Sequence, residues 1–150
     1  MKKVLIILCV IVIAVTSAIA VKYTEYSKNK TAVEKINKEF TAYQNNKIQI
    51  NTIVSLMNKA IQINTNNDIK QDDNKLFIEN ETNSIKIYLE IKSRNSIIPM
   101  EDLMLGEKAG IEKVEYAFSD LIFEITDIEY HPKTGQVKKI VFTAKEDETK

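Results

Sequence analysis

The chain opens on an unbroken apolar run. After Lys2 and Lys3, no charged residue occurs across the eighteen positions from Val4 to Val21. As a helix such a stretch rises about 27 Å, close to the hydrocarbon thickness of a bilayer. Tyr23 and Tyr26 then share one helix face, and Lys22 has a stem long enough to reach toward headgroups. The pattern predicts a transmembrane helix over residues 4–21, with Lys2, Lys3, Lys22, Tyr23 and Tyr26 as interfacial anchors. The same stretch also has the three-part layout of a cleavable secretory signal: paired lysines, the apolar block of residues 4–15, and the small residues Ala18 and Ala20 ahead of a cut after Ala20. On the first reading residues 1–26 are an anchor with its interfacial flank, and residues 27–150 are one extracytoplasmic domain of a single-pass cell-membrane protein. Lys2 and Lys3 hold the short tail inside and place the domain outside. On the alternative reading that domain is secreted.

Beyond the run, the apolar period changes twice. Ala32, Val33, Ile36, Phe40 and Tyr43 recur at spacings of three and four, which predicts an amphipathic helix over residues 31–43, continuous with the leading segment because no Gly or Pro intervenes. Ile50, Val54, Met57 and Ile61 form one stripe and Ile53, Leu56, Ala60 and Ile63 a neighbouring one, so a second helix over residues 51–63 should be widely buried, with Asn51 or Thr52 as its cap. Residues 64–75 carry little apolar content and read as an exposed loop. The period then falls to two: Leu76 and Ile78, then Ile85, Ile87, Leu89 and Ile91, predict a hairpin of residues 76–80 with 84–92 around Glu81-Thr82-Asn83. Pro99, Glu101 and Asp102 suit the start of a short helix over residues 96–108. Residues 111–118 fit either a strand or a helix. A last hairpin alternates through Ile122, Glu124, Thr126, Ile128 and Tyr130 and returns through Val137, Ile140 and Phe142, with Gly135 at a left-handed turn position. The expected fold is α+β: a transmembrane helix running into an amphipathic one, a second buried helix, and an antiparallel sheet of four or five strands with a short helix inserted.

Composition narrows the chemistry. Twenty-one Lys and Arg balance twenty-one Asp and Glu, so the basic excess of a general nucleic-acid binder is missing. Cys9 is the only cysteine, which leaves no intrachain disulfide and no thiolate zinc site, and His131 is the only histidine. His131 sits beside Pro132 in an expected exposed turn with nothing to orient it as a general base. The acidic groups Glu79/Glu81, Glu112/Glu115 and Glu124/Asp127/Glu129 read as solvent-facing positions rather than a carboxylate pair across a sugar cleft. In residues 64–75, a calcium loop counted from Asn64 would place Ile69 and Lys75 where Gly and Glu are needed. No phosphate-cradling glycine motif occurs and no nucleophile elbow. No catalytic constellation and no cofactor or metal site is expected.

Phe40, Tyr43, Val54, Leu56 and Met57, spaced to Asn64, together with Ile125-Thr126-Asp127-Ile128-Glu129-Tyr130 and Thr134-Gly135 ahead of Val137-Lys138-Lys139-Ile140, resemble small single-span membrane-anchored proteins of low-G+C Gram-positive bacteria. The layout, an apolar helix running into an amphipathic one laid on an antiparallel sheet, is similar at the level of fold to type IV pilins and pseudopilins. The resemblance implies a location and an outline: a membrane-anchored, non-enzymatic module whose partners are the lipid bilayer and a protein or cell-envelope component. The alternatives are a pilin-like assembly subunit and a domain secreted after cleavage following Ala20. The faces singled out for a partner are the strand face bearing Tyr88, and Tyr130 with His131, because exposed aromatic side chains are enriched at interfaces.

Overall fold

In a computed structural model of the chain, residues 2–105 and 110–145 are described, the side chains of residues 2–15, 18 and 19 excepted. Helix α1 runs unbroken over Lys2–Thr41. Two compact units divide the chain, Met1–Lys35 and Ile36–Lys150. In the first, Thr24 and Thr31 donate their hydroxyls back to the carbonyls of Ala20 and Ser27. Val21, Tyr23 and Tyr26 stand exposed on the helix.

Among the described residues, no helix is long and apolar enough to cross a membrane. This corrects the transmembrane helix, and with it the single-pass cell-membrane location, the lipid bilayer as a partner and the pilin-like assembly that depended on an apolar helix. The physical reason is charge density: from Ala20 onward α1 carries Lys22, Glu25, Lys28, Lys30, Glu34 and Lys35, each too costly to bury in hydrocarbon. The expected span from Val4 to Val21 falls mostly outside the described side chains, as do the anchors Lys2 and Lys3 and the small residue Ala18.

The second unit is α+β. Its elements are the end of α1, β1 (Ile48–Gln49), α2 (Ile50–Asn66), β2 (Lys86–Ile91), β3 (Ser96–Pro99), α3 (Met100–Met104), α4 (Ile111–Ala117), β4 (Ile122–Tyr130) and β5 (Val137–Lys145). The five strands form one sheet in the order β1-β4-β5-β2-β3. Both stripes of α2 are used: Ile50, Ile53, Val54, Leu56, Met57 and Ala60 are buried, in one cluster with Phe40, Ile87, Leu89, Phe123, Ile140 and Phe142. Each such side chain withdrawn from water contributes about 1.5–3 kcal/mol. Among the described residues, the buried members of this core lie at or beyond Phe40.

The closing hairpin forms as its alternation predicts, β4 against β5, with Gly135 at φ 70 in its turn. Four expectations change. The sheet is mixed, because β2 lies parallel to β5 while β4 and β5 are antiparallel. Residues 76–80 are not a strand. Asn80 Oδ1 accepts from the backbone N–H groups of Thr82, Asn83 and Ser84, and this compact turn leads into β2, whose strand partners are β3 and β5. The partner of β2 is β3, at residues assigned to a helix: the helix-start signals are real but act four positions late, Pro99 ending the strand and Glu101 and Asp102 opening α3. Finally, α2 begins at Ile50, ahead of the expected caps, and Gln49 before it provides no side-chain cap.

Candidate functional site

The face of the sheet that carries Tyr88 is an ion-pair lattice. The register sets Lys86 beside Lys139 and Lys139 beside Glu129, and one step along sets Tyr88 beside Val141 and Asp127. Lys139 Nζ binds Asp127 at 2.9 Å and also the Glu129 carboxylate. Lys138 holds Glu79 at 2.8 Å and Lys145 holds Glu124 at 2.7 Å. Glu90 accepts the Thr143 hydroxyl at 2.6 Å, and Thr143 shares a second hydrogen bond with Thr126. The acidic groups on this face are thus engaged with the chain's own lysines and hydroxyls. They do not converge on a shared cleft.

The lattice leaves its mark on proton affinities. Hydrogen bonds donated to Glu129 and then Asp127 hold the Lys139 ammonium far above the usual lysine range. The hydrogen bond and charge of Glu79 raise Lys138. Burial, then the charges of Glu79 and Glu101, raises the Tyr88 phenol above its ordinary 10.0. All three groups bind their protons more tightly folded than unfolded. The stability they supply is therefore complete below about pH 10 and drains away as pH climbs through the folded values. Urea unfolding between about pH 8 and 11 should show a falling midpoint with an unchanged slope. Lys139→Met should lower stability by about 1 kcal/mol at the neutral end and weaken that alkaline decline. An alkaline decline identical to that of the unaltered chain would refute the assignment.

His131 is buried, which overturns its expected place in an exposed turn. Its ring Nε2 lies 2.7 Å from the Ser84 carbonyl, which can only accept, so Nε2 carries the proton; Nδ1 has no hydrogen-bond partner among the described residues. Around it the β4–β5 turn is sewn to residues 82–84: Thr134 donates to the Thr82 carbonyl and Gln136 Nε2 to the Asn83 carbonyl. From the end of α1, Asn37 completes the lock, its amide donating to the Gly135 carbonyl and accepting from Val137 N–H, each at 2.8 Å. This is a structural clasp. Tyr130, next to it, remains about half exposed.

An open groove of about 560 Å³ lies between the last turns of α2, the 68–77 segment and Leu105. Ile61, Ile69, Phe77 and Leu105 give it an apolar lining, and Thr65, Asp68, Gln71 and Lys75 supply polar groups. The walls are fixed by hydrogen bonds. Asp72 Oδ1 accepts from Asn74 and Leu76 N–H, Lys75 N–H donates to the Asp72 carbonyl, and Ile78 N–H reaches the Lys70 carbonyl at 2.7 Å. Asp68 and Lys75 adopt left-handed backbone, φ 53 and 65, a region non-glycine residues seldom occupy. Among the described residues neither takes part in an ion pair, unlike the lysines of the sheet face.

No family model, curated protein or solved structure matches the chain. The resemblance to single-span proteins of Gram-positive bacteria is corrected by the finding that no described helix is long and apolar enough to cross a membrane; Phe40, Val54, Leu56 and Met57 are core positions, and Thr134-Gly135 is turn chemistry.

Of the residues singled out beforehand, the structure brings Tyr88 into the ion lattice and His131 into the clasp, while Lys22, Tyr23 and Tyr26 stay on the exposed part of α1. The groove residues were missed. Asp68 and Lys75 lie in a polar stretch that reads as solvated loop, and the backbone twist that sets them at the groove has no glycine to announce it.

Proposed function

We propose that this chain is a non-catalytic binding domain that works outside the cytoplasm as a secreted form beginning at Val21. The observation that carries the binding role is the groove: an apolar lining of useful size flanked by Asp68 and Lys75, neither of which joins an ion pair among the described residues. Secretion is supported by Lys2 and Lys3, the apolar block and the Ala18–Ala20 spacing.

Intact-mass and amino-terminal analysis of the protein expressed in a bacterial host tests the secretion arm. The expected product is in the medium, starts at Val21, and disappears when Ala20→Asp blocks the small-residue site. Full-length chain starting at Met1 in every fraction would overturn it.

A further inference from the structure

We infer that the groove takes short peptides with apolar side chains and both termini free; this rests on the reading of the groove as the binding site. The charges decide the ligand class. Asp68 and Lys75, both exposed and neither in an ion pair among the described residues, line the same hollow, so a ligand with one ammonium and one carboxylate can pair with both. A polyanion is repelled by Asp68 and a polyamine by Lys75. A fatty acid satisfies Lys75 alone.

Polar detail agrees. Gln71 spends its Nε2 on the Lys75 carbonyl at 3.0 Å and keeps Oε1 as an acceptor. Thr65 donates its hydroxyl to the Ile61 carbonyl at 2.8 Å and likewise keeps lone pairs. Both can accept from peptide N–H groups. The lining of Ile61, Ile69, Phe77 and Leu105 suits leucine-like or aromatic side chains, and about 560 Å³ exceeds a single amino acid and matches roughly two to four residues. Because the wall is already braced through Asp72, little ordering cost falls on binding.

The test is titration of the ¹⁵N-labelled full chain with trileucine and, separately, with N-acetyl-trileucine amide, followed by calorimetry and amide shifts. Free trileucine should shift Thr65, Ile69, Gln71 and Lys75, and the blocked peptide should bind about tenfold more weakly, the scale of two exposed charge pairs. Asp68→Asn and Lys75→Gln should each weaken the free peptide several-fold, leave the blocked one unchanged, and lose their effect at high salt. Equal binding of both peptides at the groove would overturn the free-terminus inference while the groove reading stands, pointing instead to an internal segment of a larger protein. Absence of groove shifts with either peptide at millimolar concentration would remove both.

Discussion

Replacing Glu101 by alanine should lower the unfolding free energy by about 3–5 kcal/mol, the cost of leaving a buried charge alone. In the antiparallel pairing of β2 with β3, Tyr88 stands opposite Pro99, where β3 ends; α3 follows at once, and Lys86 meets its Glu101. Their side chains are 7% and 1% exposed and meet at 2.9 Å. Glu101 Oε1 also accepts from Phe77 N–H at 3.1 Å, while Oε2 is buried and has no hydrogen-bond partner among the described residues. Removing the carboxylate strands the Lys86 ammonium and the Phe77 N–H together. Lys86→Met strands the carboxylate instead and should cost a similar amount. The double variant Lys86→Met/Glu101→Leu should recover most of the loss, since an apolar pair of similar volume is often neutral or better; what remains is the orphaned Phe77 N–H, about 1–3 kcal/mol. Urea midpoints of the four species form the cycle. Strictly additive losses would show that the two side chains are not coupled.

Nothing in the residue pattern announces that pair. Glu101 reads as an acid favouring the positive end of a helix, which it does, and Lys86 as a polar position on an alternating strand. Their meeting depends on the pairing of β2 with β3, and a period of two fixes which face a side chain takes without saying which strand lies beside it or in which direction. The same limit explains the sheet. The alternations in β2, β4 and β5 are legible, and so are the turn at Gly135 and the two stripes of α2, because each is a local consequence of sequence. The parallel β2–β5 neighbourhood and the small strand β3 are settled by long-range packing. The leading segment shows the opposite weakness: a strong local signal, residues 4–21, lies largely outside the side chains the structure describes, and the charged remainder of α1 does not form a span.

Asparagine is the residue most easily passed over in this chain, being abundant and polar, yet two of them complete the fold. Asn37 and Asn64 each present an amide to backbone that has no strand beside it. Asn64 is fully buried; its Nδ2 donates to the Ile85 carbonyl and its Oδ1 accepts from Ile85 N–H, both at 2.8 Å. One side chain thus replaces the pair of hydrogen bonds a neighbouring strand would give to the residue just ahead of β2, and ties the end of α2 to the sheet. Asn64→Leu keeps the volume and loses both bonds, leaving a donor and an acceptor of Ile85 buried and unpaired. The expected loss is about 2–5 kcal/mol, the sum of two such penalties, with faster amide exchange at Ile85. Exposed Asn66→Ala should stay within about 0.5 kcal/mol. Asn64→Asp separates the two roles: the acceptor for Ile85 N–H survives, and the donor is replaced by a carboxylate oxygen facing the Ile85 carbonyl. It should therefore fall at least as far as the leucine variant, by repulsion between two acceptors and burial of a charge. If the leucine variant instead unfolds at the same urea concentration as the unaltered chain, the amide clamp does not hold this junction.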